Sequence, residues 1–190
     1  MALTVLPRGE IGTIVTYLEM TQRPPLRPMP HAPLRLKRWT DPAPQKYRLL
    51  FERIGARWLW YSRLAMDDAA LAAAIGDLHV VIDTRDIEVG MIELDFASSS
   101  ECLIRFLGLV PELTGKGHGK WLLANTLALA WRKDVRRVHV HTCTLDHPAA
   151  LPAYLSAGFR AYNRAFESFA DPRVRGLLPR DCAPQIPLLE

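Results

Sequence analysis

Leu103-Ile-Arg-Phe-Leu-Gly-Leu-Val-Pro-Glu-Leu-Thr-Gly-Lys-Gly-His-Gly-Lys-Trp-Leu-Leu123 is the stretch whose reading decides the fold. It predicts a buried strand from Cys102 to Val110, a short loop opened by Pro111, a turn carrying Gly115, Gly117 and Gly119, and then a long apolar helix. Strand, glycines, helix is an order that aims unpaired backbone N–H groups and the positive end of a helix dipole at one point, where an anionic phosphate is stabilised. Glycine lets the backbone come close to such an anion, because a Cβ would stand between them.

Two nucleotide-binding chemistries fit this turn poorly. A Walker-type loop needs four residues between its first glycine and the Gly-Lys-Ser/Thr triplet, whereas only three separate Gly115 from Gly119-Lys120, and Trp121 replaces the magnesium-binding hydroxyl. A dinucleotide fingerprint needs its third glycine where Lys120 stands, and an acidic residue at the end of the next strand; Asp134 still precedes that strand. A plain helix-start turn without a ligand is the bland alternative.

Outward from the turn, Trp121, Leu122, Leu123, Thr126, Leu127, Ala130 and Trp131 are spaced for a buried helix with Arg132-Lys133 at its negative end. Val138, Val140 and Thr142 form one face of the next strand, His139, His141 and Cys143 the other. A helix from about Pro148 to Ala157 closes on Gly158. Arg160 to Phe169 is a pair of strands or one bent strand. Upstream, Gly12 to Met20 is a first strand rich in β-branched and aromatic residues. Arg23 to Pro33 holds five prolines and excludes regular structure; it is a rigid surface connection or a lid on the acceptor side of a site. Thr40-Asp41-Pro42 opens a helix that Gly55 stops, Trp58 to Trp60 continues as a second helical segment, and Asp67 to Ile75 is a short helix ended by Gly76. Leu78 to Asp83 and Ile87 to Phe96 form a hairpin, the second strand with an apolar face (Ile92, Leu94, Phe96) and an acidic one (Glu93, Asp95). Antiparallel strands followed by strand, helix, strand, helix argue for an α/β fold with a mixed, mostly antiparallel central sheet flanked by helices.

At 190 residues the chain suits one domain. We expect an N-terminal segment (1–11), the domain proper (12–169) and an irregular, proline-containing tail (170–190) on the surface. A hydrophobic fraction of 49% with 23% charged residues is ordinary globular composition, no apolar run is long enough for a membrane span, and no signal peptide is evident. Three scattered cysteines (Cys102, Cys143, Cys182) fit reduced thiols, so a cytoplasmic setting is the expectation. The net charge of +4 favours an anionic ligand but does not indicate nucleic acid, and the basic run Arg35-Leu-Lys-Arg-Trp39 is expected as a solvated loop or helix approach. Exposed aromatic residues are compatible with a homodimer.

Val110-Pro-Glu-Leu-Thr-Gly-Lys-Gly-His-Gly resembles the acetyl-coenzyme A loop of the GNAT superfamily of N-acetyltransferases, Arg/Gln-x-x-Gly-x-Gly/Ala after a strand ending near Pro-Glu. His147-Pro-Ala-Ala-Leu-Pro-Ala-Tyr-Leu-Ser-Ala-Gly-Phe159 resembles the superfamily's second block, Asn-x-x-Ala-x-x-x-Tyr-x-x-x-Gly-Phe. Thr114 stands where the family has Arg or Gln, and His147 where it has Asn. The resemblance implies a GNAT-like fold and direct transfer of an acetyl group from acetyl-coenzyme A to a primary amine of a small molecule or peptide, through a tetrahedral intermediate. It assigns cofactor contacts to Leu109, Val110, Thr114, Gly115, Lys116, Gly117, His118, Gly119, Lys120, His147 and Tyr154, with Leu109 and Val110 acting through their main chain. Tyr154 is then the proton donor to the leaving thiolate. Glu101 and Glu93 are the first candidates for the base that frees the amine, Asp95 and Glu19 further options, and water a possible relay. His139, His141 and Cys143 can be tested as a metal set, but they lack a fourth ligand at a firm spacing, so no metal is expected. A non-catalytic acyl-coenzyme A sensor of the same fold is the alternative function.

Overall fold

The computed structural model describes residues 3–25 and 28–190, so Leu26 and Arg27 of the proline-rich segment and the first two residues of the N-terminal segment lie outside the described residues. The elements run β1 (Glu10–Met20), β2 (Arg35–Arg38), α1 (Pro44–Gly55), α2 (Asp68–Ala74), β3 (Asp77–Ile82), β4 (Glu88–Asp95), β5 (Glu101–Leu109), α3 (His118–Ala130), β6 (Arg137–Cys143), α4 (Ala150–Ala157) and β7 (Arg160–Ala170). The strands form one mixed sheet in the order β2-β3-β4-β5-β6-β1-β7, in which only β5 and β6 are parallel. The first strand of the chain therefore sits between the last two. Because α1 and α3 both pack on β5 without packing appreciably on one another, they take opposite faces of the sheet, and α4 lies beside α3.

Local chemistry accounts for the differences from expectation. Arg35–Arg38 is an edge strand paired with β3 from Arg35↔Ile82 to Arg38↔His79, not a solvated loop. Charged side chains are what an exposed edge carries to discourage further pairing, so the basic run disguised the strand. Trp58 to Trp60 is not helical. A single 3-10 turn (Ala56–Trp58) is followed by Leu59 in the left-handed region at φ 57°, and Trp60 donates its N–H back to the Gly55 carbonyl at 3.0 Å. The chain folds back so tightly that a Cβ on Gly55 would overlap the Trp60 side chain.

On the acidic face of β4, Glu93 is buried and Asp95 partly exposed. Glu93 has no exposed surface; it accepts a hydrogen bond from Tyr47 Oη at 2.6 Å and pairs with the buried Arg63 guanidinium. The tail after β7 has no helix or strand, as its prolines predict, yet it is built into the body. Leu178 and Ala183 pack with Ile11 and Leu59 in a second apolar cluster, Asp171 donates its N–H to the Gly9 carbonyl at 2.8 Å, and the buried pair Asp171–Arg173 folds the tail on itself, Arg173 also donating to the Ile186 carbonyl at 2.9 Å.

Candidate active site

The site is made by a defect in the sheet. Between β4 and β5 the register passes from Leu94↔Ile104 to Glu93↔Phe106, leaving Arg105 unpaired as a β-bulge. Bulges bend and twist the strand that carries them. The parallel ladder to β6 ends at the same place, with Ile104↔Val140, although β5 continues to Leu109 and β6 to Cys143. Beyond that rung the strands part, and a cleft of about 1630 Å³ opens between them, lined from both faces of the sheet.

At one end the cleft meets the glycine turn. Gly115 and Gly117 take positive φ (74° and 81°), and a Cβ added at Gly115, Gly117 or Gly119 would meet nothing within 4 Å. The space over the turn is open, and Gly117 caps α3 without a side-chain hydrogen bond, so the first-turn N–H groups have no side-chain partner. Lys120 lines the same end. A diphosphate fits this cradle of glycines and helix terminus. Along β5, Val110 donates its N–H to the Val89 carbonyl and its carbonyl accepts from Leu113 N. Main-chain groups alternate between the two edges of a strand, so those of Leu107 and Leu109 turn toward the cleft, where an extended pantetheine arm could add to the strand.

At the other end the wall comes from the loop after α1 and from the segment after β6. Trp60 packs on β5 beside Phe106 (ring centroids 5.3 Å apart) and donates its indole N–H to Asp146 Oδ1 at 3.2 Å. Asp146 Oδ2 accepts from Thr142 Oγ1 at 2.8 Å and from Cys143 N at 2.9 Å. Trp58 meets the His147 ring edge-on at 5.1 Å, and Tyr61 stacks on Phe169. Thr13, Val15, Cys143 and Glu167 complete this part of the lining.

Of the residues expected at the site, the structure gathers Leu109, Thr114, Gly115, Gly117, Gly119, Lys120, His147 and Tyr154 around the cleft; Lys116 and His118 belong to the turn and the start of α3 but do not line it. Val110 stands outside the lining, with its N–H given to the Val89 carbonyl and its carbonyl accepting from Leu113 N. Thr114 spends its hydroxyl on the Pro111 carbonyl at 2.7 Å. His147 accepts the Ala149 N–H on Nδ1 at 3.0 Å and so orders the start of α4. Tyr154 is buried, its ring edge-on to Phe159; burial, and then the nearby charge of Asp146, raise its phenol well above the ordinary value.

The two carboxylates placed first as bases are not brought to the cleft. Glu93 is sealed under Tyr47 and Arg63, and Glu101 sits at the opposite end of β5, eight residues or about 26 Å from Leu109, paired with Arg137 at 3.3 Å and 3.8 Å from His139. Asp95 is held by Arg105, which depresses its carboxyl pKa, and Glu19 reaches the cleft but pairs with Arg137 at 2.9 Å. Asp146 is the site residue that motif reading missed; it stands one position before His147, at the start of the second block. The described part of the proline-rich segment lines the cleft beside α3, where Met29 Sδ accepts from Asn125 Nδ2 at 3.3 Å. Among the described residues no cluster of three His, Cys, Asp or Glu side chains is placed to hold a metal, and no helix is long and apolar enough to cross a membrane.

A mixed sheet parted at a bulge, with a glycine turn and helix N-terminus at one end of the opening, defines the class of acyl-coenzyme A N-acyltransferase folds. The model of the acetyltransferase (GNAT) family matches residues 34–159, more than half of the chain, and the protein belongs to that family. Both β1 and β7 lie outside the matched stretch. Solved structures agree in fold. The GCN5-related N-acetyltransferase from Sphaerobacter thermophilus aligns with TM-score 0.60 and 17% identity over 83% of this chain and 51% of its own. A putative GNAT-family acetyltransferase from Novosphingobium aromaticivorans aligns with TM-score 0.54 and 12% identity over 88% and 69%. A tandem GNAT protein from the clavulanic acid biosynthesis pathway gives TM-score 0.53 and 17% identity over 83% and 53%. The chain thus spans about half the length of the first and third of these. No curated protein matches it by sequence.

Proposed function

We propose that this protein transfers an acetyl group from acetyl-coenzyme A to a primary amine, through a unit made of residues 12–169 with the tail packed on it. The observation that carries the proposal is the continuity of the cleft, which runs from the open glycine turn, past Leu109 and Tyr154, to a second wall on the far face of the sheet. An anionic cofactor held at the turn would lay its arm along Leu107 and Leu109 and bring its thioester near Tyr154. The neutral amine then attacks the thioester carbonyl. A C–N bond forms and, as the tetrahedral intermediate collapses, the C–S bond breaks. The proton lost by the nitrogen balances the one the thiolate takes from the Tyr154 phenol, which burial keeps protonated. Lys120, at the mouth beside the turn, adds charge for the diphosphate. Three free cysteines suit a reducing, cytoplasmic setting for this chemistry.

Calorimetric titration with acetyl-coenzyme A, beside a thiol-release assay over a panel of amines, tests the proposal. Binding with amine-dependent release is expected. Absence of binding heat at millimolar cofactor overturns the whole reading, and binding without release by any amine replaces the enzyme with a sensor.

A further inference from the structure

The two ends of the cleft carry opposite charge. Towards α3, the end of α4 and the segment after β1, the ionisable lining residues are Lys120, Arg160 and Arg23, with Glu19 paired to Arg137, a guanidinium it shares with Glu101. Towards the segment after β6 the lining carboxylates are Asp146 and Glu167, the latter seven positions from Arg160 along β7. The arginine on that side, Arg105, is committed to Asp95, which leaves His141 and His147 as the remaining basic groups, the latter with Nδ1 occupied by Ala149 N.

Asp146 is unusual among the carboxylates of this protein. Its oxygens are fixed by three neutral donors, Trp60 Nε1, Thr142 Oγ1 and the Cys143 amide, and among the described residues it has no cationic partner. Three donors lock its orientation without cancelling its charge. The carboxylate lies between the acceptor wall, through Trp60, and the reaction centre, close enough to Tyr154 to raise that phenol. Oδ1, which takes the single bond from Trp60, keeps a lone pair for another donor. Trp60 touches it directly, the stacked Tyr61 and Phe169 rings line the same cleft, and ring faces attract a partly desolvated cation. Glu167 adds negative charge at the rim, and its side chain forms no ion pair or hydrogen bond among the described residues. A substrate carboxylate brought here would face two like charges and find no free arginine or lysine, which costs binding.

Building on the acetyl-transfer reading above, we infer that the acceptor is an amine that arrives as a cation and bears no carboxylate, its ammonium docked on Asp146 and its body against Trp60 and Tyr61. Asp146 is then a substrate-binding residue that holds the ammonium beside the thioester; the nitrogen gives up one proton to water before it attacks as the neutral amine, and free amino acids are excluded from the site.

Matched acceptors test this in the thiol-release assay: phenethylamine, phenylalanine and phenylalanine methyl ester, and cadaverine against lysine. The amines and the ester are expected to exceed the free amino acids in kcat/KM by about 100-fold. Asp146→Asn is expected to raise the amine KM by about 10-fold or more and to shrink that preference, while acetyl-coenzyme A affinity is unchanged. Glu167→Gln, at the exposed rim, should shift the same preference by a few fold and guards against an Asp146 variant that fails to fold. Free amino acids used as well as their carboxylate-free partners, no turnover of any probe by protein that binds the cofactor, or an Asp146→Asn enzyme with unchanged amine KM each overturns the inference. Loss of cofactor binding itself in the wild type would instead strike the acetyl-transfer reading, so the two failures are distinguishable.

Discussion

Trp60 lies over Gly108: a methyl group on Gly108 would come within 3.3 Å of the indole and 2.5 Å of Ile54 Cγ2. The missing side chain on β5 is what lets the α1 face close down on the parted strands. Gly108→Ala should overpack this contact at a cost of about 1–3 kcal/mol and push the indole away from Asp146. A lowered denaturant midpoint together with a raised amine KM is expected. An unchanged midpoint would mean that the indole is not seated there.

Arg63 and Glu93 bind the same layer from below, with 4% and 0% of their side chains exposed. Removing one partner strands the other charge in an apolar interior. Arg63→Met and Glu93→Gln should each cost about 3–5 kcal/mol in stability, read by chemical denaturation. In Glu93→Gln protein that still folds, the pH profile of kcat/KM should keep its wild-type shape. A lost acidic limb would return Glu93 to the role of base.

The parts of the site legible in the sequence were those made by backbone. Gly115, Gly117, the start of α3 and the Gly158 cap depend on residue types that advertise their conformation, and they stand where the motif puts them. Strands that depend on a distant partner were harder to read. Nothing in Arg35–Arg38 announces its pairing with β3, and nothing in Glu10–Met20 announces that it lies between β6 and β7. Glu93 looked available because alternation on β4 gives it an acidic face, but alternation cannot tell that α1 and Arg63 cover that residue. Asp146 was hidden for the opposite reason: its importance comes from Trp60, 86 positions away in the chain.

The glycine turn separates backbone strain from loss of ligand. Alanine at Gly117, at φ 81°, carries a left-handed penalty of about 1–2 kcal/mol, whereas Gly119 lies outside the positive-φ region and has open space around it. Gly117→Ala should therefore lower both stability and acetyl-coenzyme A affinity. Gly119→Ala should weaken binding by about 10-fold at nearly unchanged stability, because its Cβ enters only the space left for the anion. Equal calorimetric affinity in Gly119→Ala and wild type would remove that turn as the diphosphate site.

Two histidines set the mild-acid limit of the fold. Burial lowers the pKa of His79, whose Nδ1 has no partner among the described residues and whose charged neighbours are Asp77, Arg38 and Arg132, and lowers that of His139, beside Arg137 and Glu101. The unfolded chain therefore takes up these protons first, at about pH 6.5. Stability should be complete above that value and drain as the pH falls through it toward the lower folded values. The denaturant midpoint is expected to drop between about pH 7 and 5, less so in a His79→Asn, His139→Asn double variant. A midpoint that holds or rises over that interval in the wild type would contradict the assignment.

Tyr154 tests the chemistry most directly. Its ring is fixed against Phe159, it lines the cleft, and burial followed by the Asp146 charge pushes its phenol upward. A raised phenol pKa keeps the acid form loaded at every pH at which the enzyme is stable, so deprotonation of Tyr154 should produce no fall in kcat below about pH 10, its ordinary value. Tyr154→Phe leaves the packing and removes the proton. The substitution should lower kcat by about 10- to 1000-fold with little change in acetyl-coenzyme A affinity. Because a thiolate of lower pKa needs less help in leaving, an activated thioester with an electron-poor thiol should recover part of that loss. Unaltered turnover in Tyr154→Phe with the best acceptor, or a loss that is the same for activated and ordinary thioesters, would reduce Tyr154 to a packing residue.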